Sequence, residues 1–457
     1  MLMIQYERLR HWAAPILLSA CWRVSLAVGT TVALASFVLL VVLTTAQGAE
    51  PASRDGAPSL PAPLTSDTFT EAVLAHNASL EAMHQAVVAA AARIRPAGAL
   101  DDPMLSVSAA PRTFGSAMGA SGDIEVSQAL PWWGTLEARA EVARAEAEAA
   151  SHDLDASRLR LAALARGAFS DWVFIHRALE INTANQSVLA DLRSIARVRY
   201  ATGQAPQGDI LQADVERSLL KQQRLEFERD QLTVQARMDA LLELAPQAVV
   251  PAPAGLTAPA SLPAEEVLAQ RALAHPQLGQ LEARERAAEA QQHLAEKERY
   301  PKFGLSAGYN NLWSDPAMRP MVGVSISVPL DQGKYRATIE TARAEARRAA
   351  STLEDVRASL LADLSAAYAS AKEAAQSVAL YRDELVPLAR TTLEVARTDY
   401  GSGRGDFLSV LTAEQHRLNT ELTLARMQSE YFQRLAELER ASDGGVLGGL
   451  AHAGADR

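Results

Sequence analysis

Four short stretches of the chain alternate apolar residues with small or polar ones. Leu105, Val107 and Ala109 alternate with Ser106 and Ser108, and Ile124 and Val126 with Glu125 and Ser127. Farther on, Phe303, Leu305, Ala307 and Tyr309 alternate with Gly304, Ser306 and Gly308. Val322, Val324, Ile326 and Val328 do the same with Gly323, Ser325 and Ser327. A period of two sends successive side chains to opposite faces, so each stretch predicts a strand with one apolar and one small-polar face. The loops "PRTFGSAMGASG" and "NLWSDPAMRP" join them into hairpins over 103–130 and 301–329.

After each hairpin the pattern changes to that of a long helix. From Gly134 to Tyr200 there is no proline and a single interior glycine, Gly167. At about 1.5 Å per residue such a helix reaches roughly 95–100 Å. Its counterpart runs from Gly333 to Tyr400, with a bend expected at Pro387. Each then reaches a matched turn, "YATGQAPQGDILQADVE" from Tyr200 and "YGSGRGDFLSVLTAEQH" from Tyr400. Both place Gly three residues after Tyr, at Gly203 and Gly403, where a tight turn needs positive φ. The tips fall near 200–206 and 400–406, and Arg404 is expected at the exposed second turn. The Arg404-Gly405-Asp406 tripeptide of cell-adhesion ligands is absent from the first copy and reads as a chance match. In the returning helices, Leu211, Leu225 and Leu232 fall on a spacing of seven interrupted by Ser218. Leu411, Leu418, Ala425 and Phe432 also stand seven apart, the spacing of a coiled coil.

A shorter helix precedes each hairpin, Thr68 to about Arg93 and Ala264 to Glu298, with Ser66 and Asp67 as N-caps for the first. The chain is therefore one pattern used twice. "AVLAHNASLEA" around His76 matches "RALAHPQLGQLEA" around His275, and "ARAEAEAA" from Ala143 matches "ARAEARRAA" from Ala342. A constant offset of about two hundred residues marks a duplication. The repeats span 65–245 and 264–441, with a Pro/Ala-rich linker at 246–263, a flexible linker at 50–64 and a flexible tail at 442–457.

Composition narrows what such a pattern does. The 457 residues are 48% hydrophobic but only 5% aromatic, which suits long helices packed through small side chains. A net charge of −10 argues against a nucleic-acid partner. Residues 1–49 read as a signal peptide. Arg8, Arg10 and Arg23 precede an apolar run from Val24 to about Leu43, and cleavage is expected near Ala46 to Ala49. Cys21 is the only cysteine, so disulfides and thiolate metal sites are excluded. "LSAC" ending at Cys21 resembles a lipoprotein box, but an apolar run rather than a polar tether follows it.

No phosphate-binding glycine loop, HExxH or nucleophile elbow occurs, so the chain reads as a non-enzyme without cofactor. His76 and His84 stand about 12 Å apart along one helix, too far to share an ion, and with His275 they read as structural.

Four strands in two hairpins leave unpaired edges, which lipid does not tolerate. In a membrane, such a chain must share a barrel with its own copies; three would close twelve strands. Trp132 and Trp133, between strand and long helix, sit where an interfacial aromatic belt would lie.

The duplicated helix–hairpin–long helix–turn–helix order, with Tyr-x-x-Gly before each returning helix, resembles the TolC-type outer-membrane efflux family. "ARIRPAGALDDPMLSV" followed by "SQALPWWG" is similar to its CusC/CzcC heavy-metal branch. The resemblance implies a mainly α fold with a small β part: a homotrimer with a 12-stranded transmembrane β-barrel and a periplasmic α-barrel of coiled-coil hairpins. It implies outer-membrane lipid, a periplasmic adaptor and an inner-membrane pump, commonly of the resistance-nodulation-division type, as partners. Tyr200, Gly203, Tyr400, Gly403 and Arg404 would form the adaptor-facing tips. In this family acidic residues beyond the tip narrow the closed entrance. The aligned Ser409 and Thr412 are not acidic here, which leaves Asp209 and Asp406 as candidates for the constriction, with Gln212 aligned to Thr412. The alternative is a periplasmic coiled-coil structural or adaptor protein anchored by its N-terminal apolar run.

Overall fold

Six helical and strand elements follow one another in the first half of the chain, and the second half repeats them with its long helix divided in two. The computed structural model describes residues 60–110, 121–245, 248–259, 261–310, 316–444 and 446–447. They belong to the compact unit Pro58–Arg457. The expected leader, its expected cleavage region and Cys21 lie outside the described residues, as does most of each strand–strand loop.

The first repeat consists of α1 (Ser66–His76), α2 (Ala78–Ala97), β1 (Met104–Ala110), β2 (Ser121–Leu130), α3 (Thr135–Ala201) and α4 (Gln207–Leu241). The second has α5 (Glu265–Ala272), α6 (Pro276–Glu298), β3 (Lys302–Asn310), β4 (Pro320–Ser327), α7 (Gln332–Leu380), α8 (Val386–Gly401) and α9 (Phe407–Ala441). The 67 residues of α3 make it about 100 Å long. Many of its buried positions are alanines, including Ala138, Ala140, Ala143, Ala165 and Ala168, which lets neighbouring axes come close.

Several local expectations change. Each single helix expected before a hairpin is two. In the first repeat Asn77 interrupts it, accepting from Ser79 N–H as the cap of α2. In the second, His275 does this work: Nδ1 accepts from Gln277 N–H, so Nε2 carries the proton and donates to Arg440 C=O at 3.0 Å. Burial holds the His275 imidazole below its usual pKa, and the same burial favours this neutral, capping form. The cap of α1 is Thr65, not Ser66 or Asp67; it exchanges bonds with Thr68 in a capping box. The bend expected at Pro387 is a π-helical turn, Tyr381–Leu385, immediately before it. Proline has no N–H to give the turn behind it, and the ladder widens there, with Val386 N–H bonding Tyr381 C=O.

The linkers are also held more firmly than composition implied. Leu64 is buried and exchanges backbone bonds with Ala252 and Ala254 of the Pro/Ala-rich connection, which also accepts from Trp172 Nε1 at Pro251. Ser442 and Val446 of the expected tail are buried as well.

Two matched cores sit at equivalent places. Phe69, Val73, Phe169, Met238 and Leu242 fill one; Leu268, Leu278, Leu364, Leu435 and Leu438 fill the other. In α9 the expected stripe of Leu411, Leu418, Ala425 and Phe432 is buried. In α4 it is not: Leu211, Leu225 and Leu232 are exposed. The seam facing the chain's own core lies two residues along, through Ala213, Leu220, partly buried Phe227 and Val234, again seven apart. So α4 carries two apolar stripes, and one stands exposed among the described residues.

The four strands form one antiparallel sheet in the order β1-β2-β3-β4. Its register puts Leu105, Val126, Ala307 and Val322 in one cross-strand row. Val107, Ile124 and Tyr309 form the next. Ser127, Ser306 and Gly323 lie across the opposite face, followed by Ala129, Gly304 and Ser325. The alternation read in four separate strands thus adds up to one shared apolar face, interrupted by Gln128 opposite Leu305, and backed by a face of mostly Ser and Gly. Its apolar side chains are exposed, Val322, Val324 and Ile326 among them, and β1 and β4 are open edges. Among the described residues no helix is long and apolar enough to cross a membrane.

Candidate functional site

At the far end from the sheet, two turns of the same design lie side by side. Gly203 (φ 70°) and Gly403 (φ 80°) both take the left-handed conformation. Gly203 N–H bonds Tyr200 C=O at 3.0 Å and Gly403 N–H bonds Tyr400 C=O at 3.1 Å. A side chain at either position would be strained whatever the space around it.

The tips are alike in backbone but not in side chains. Tyr200 is 47% exposed, whereas Tyr400 is 3% exposed and therefore not on the tip's surface. The Arg199 guanidinium lies 4.5 Å over the Tyr400 ring, and Phe407 packs 5.3 Å away. Its hydroxyl donates to Asp209 Oδ2 at 2.9 Å. Burial, then the bond to Asp209, pushes the Tyr400 phenol up to about 12. The O–H donor is therefore intact at neutral pH, and its contribution is lost only as pH rises from about 10, the ordinary value, through about 12. Tyr400 is a pin between the tips, from α8 of one repeat to α4 of the other.

The remaining candidates separate. Arg404 is exposed and pairs with Asp399 at 3.2 Å. Asp406 caps α9, accepting from Ser409 N–H at 2.6 Å. That bond, and the one to the Ser409 hydroxyl, hold its carboxyl below the usual range, so it is ionised at neutral pH. Asp209 and Asp406 have no hydrogen-bond partner in common among the described residues. Sequence reasoning missed Arg199 and Asp399, although the aligned repeats carry opposite charges there, Arg before one Tyr and Asp before the other.

Between tips and sheet, polar layers fix α3 of the first repeat against α9 of the second. Arg166 Nη1 meets Glu439 Oε2 at 2.6 Å, each side chain 2% exposed. Gln433 donates to Asp171 at 2.8 Å. Arg417 pairs with Glu414 and Glu421, both at 2.8 Å, and bonds Asn185. As the number on α3 rises, its partner's on α9 falls by a similar amount, as antiparallel neighbours require. None of these residues stood out in the sequence, because a buried ion pair and an exposed one look alike there.

At the other end, Trp132 stacks on Tyr300 (4.8 Å) and lies 6.1 Å from Phe303, while Trp133 is 5.6 Å from Phe303. Trp133 is 72% exposed. All four strands join their helices at this end of the sheet, so the aromatic cluster marks where sheet gives way to helix. Among the described residues no group of three or more His, Cys, Asp or Glu gathers as a metal site. His76 Nδ1 is engaged with Ala72 C=O.

A family model described as outer membrane efflux protein matches residues 70–243 and 268–444, the two repeats in turn. Among solved structures, the outer-membrane channel OprN is similar at 20% identity and a TM-score of 0.72, covering 83% of this chain and 90% of its own. The outer membrane protein VceC from Vibrio cholerae gives 21% identity and a TM-score of 0.71, with 83% and 96% covered. CusC gives 19% and 0.72, with 83% and 92% covered. A search of curated proteins returns no match. These likenesses establish the fold, and the family match extends over more than half of the sequence: the chain belongs to the outer membrane efflux protein family, channels seated in the outer membrane with a helical domain in the periplasm.

Proposed function

We propose that three copies of this chain close their sheets into one twelve-stranded barrel and stack their helices into a hollow periplasmic cylinder, forming a passive export duct. The sheet carries this reading. Its exposed apolar face suits lipid, its Ser/Gly face suits a wet lumen, and its open edges at β1 and β4 need strands the described residues do not supply. The second, exposed stripe of α4 supports the same assembly, since a neighbouring copy would cover it. Tyr200, Gly203, Gly403 and Arg404 then form two tips per chain for a periplasmic adaptor, with Tyr400 holding the tips from inside. An inner-membrane pump of the resistance-nodulation-division class would supply the energy.

Asp209 and Asp406 are the proposed acidic entrance. The sequence resemblance makes heavy-metal cations the proposed cargo, and the net charge of −10 suits cations. Planar-bilayer recordings of heat-modifiable trimers test both parts. Wild type should insert and conduct, and D209N/D406N should raise conductance and lower cation preference. Asparagine still accepts from Tyr400 and still caps a helix, so this pair removes charge while keeping the bonds. Unchanged conductance and selectivity would leave both aspartates as structural acids, and a protein that never conducts would end the duct reading.

A further inference from the structure

Two cations stand beside the aromatic cluster where the helices leave the sheet. The Arg299 guanidinium lies 5.0 Å over the Tyr300 ring, and its Nη2 donates to Tyr300 Oη at 3.0 Å. Tyr300 in turn stacks on Trp132. Lys297 lies against Gly134, the residue after Trp133: a Cβ built there would be 3.8 Å from Lys297 Nζ. Neither cation forms a salt bridge among the described residues, in a chain with ten more acids than bases. Of the adjacent acids, Glu296 pairs with Arg343 at 3.5 Å and acts on Arg299 only through space, without a salt bridge to it. Phe303, which joins the cluster, opens the apolar face of β3. Lys302 has the opposite parity and belongs to the Ser/Gly face.

The cluster therefore continues the apolar face into aromatic rings, and the rings into positive charge without a salt bridge among the described residues. That order matches a leaflet read from acyl chain to glycerol to phosphate. We propose that Lys297 and Arg299, over the Trp132–Tyr300–Phe303 cluster, bind the phosphate of an anionic glycerophospholipid in the periplasmic leaflet. The leaflet follows from topology: the helices depart at this end and are periplasmic, so lipopolysaccharide on the opposite side is out of reach. The proposal rests on the reading that the apolar face meets lipid.

The test reconstitutes full-length protein into vesicles of equal phosphatidylglycerol and phosphatidylethanolamine and measures retained lipid by native mass spectrometry. Wild type should retain phosphatidylglycerol about fivefold over phosphatidylethanolamine, and K297Q/R299Q should retain the two equally. Lys302→Gln, on the inner face, should keep the wild-type preference. No preference in wild type, an unchanged one in K297Q/R299Q, or equal loss in Lys302→Gln would each overturn the headgroup site while leaving the barrel standing. Protein that inserts into neither lipid would overturn the site and the barrel together.

Discussion

Arginine at Val324 is expected to abolish trimers in outer-membrane fractions and arginine at Ile326 to reduce them, while Ser325→Arg leaves them assembled. Val324 and Ile326 are exposed on the apolar face of β4, where a charge costs up to about 2–4 kcal/mol at mid-bilayer and about 0–1 near the interface, repeated in every copy. Val324 is therefore the costlier site and Ile326, paired with Phe303 of the aromatic cluster, the milder one. Ser325 points the other way. Its hydroxyl leans over Gly304, so a longer side chain there rises into open space beside a residue with no side chain of its own. Quantifying heat-modifiable trimer for the three variants at matched expression checks this. Equal tolerance at all three positions would mean that the alternation does not separate lipid from lumen.

The second large effect lies between the repeats. Glu439→Gln takes the buried carboxylate away from Arg166, whose ion pair with the exposed Asp67 is longer, at 3.9 Å. Breaking a buried pair from one side costs about 3–5 kcal/mol, because a desolvated charge is left behind. Glu439 also accepts from Leu447 N–H at 3.0 Å, so the loss reaches the segment after α9. The double variant R166M/E439L removes both charges and should recover most of that loss. Urea midpoints followed by helical circular dichroism on the same detergent-solubilised protein separate the two. A single variant as stable as wild type, or a double variant as weak as the single, would contradict this account of the pair.

These results show which parts of the architecture a sequence can announce. Strand faces were legible because a period of two assigns every side chain to a side, and four strands that agree leave little freedom in register. The long helices were legible because proline and glycine are absent over so many residues. Helix breaks were harder, since Asn77 and His275 end one helix and cap the next through hydrogen bonds that periodicity does not see. The stripe of α4 was misassigned for a different reason. Leu211, Leu225 and Leu232 have the stronger heptad, yet the weaker one through Ala213 and Leu220 packs at home. A chain that builds a shared wall needs both, and spacing alone does not say which one turns inward. The tips show the limit of repeat symmetry. The same Tyr-x-x-Gly motif yields one exposed tyrosine and one buried pin, because Phe407, Arg199 and Asp209 close around only the second.

The central claim is that β1 of one copy pairs with β4 of the next and that three copies close the ring. Cysteine cross-linking across that junction tests it most directly, because Cys21, in the expected leader, is the only native cysteine. Ser106→Cys in β1 would be combined with Ser325→Cys or Ser327→Cys in β4, all on the inner face of the sheet. In an antiparallel junction one of these pairs should come within disulfide reach, about 3.5–4.5 Å between Cβ atoms. The account predicts oxidised outer membranes with covalent monomer, dimer and trimer bands and nothing larger, each single-cysteine variant remaining monomeric on the denaturing gel. Monomer alone from both pairs, or a ladder running past three, would contradict it.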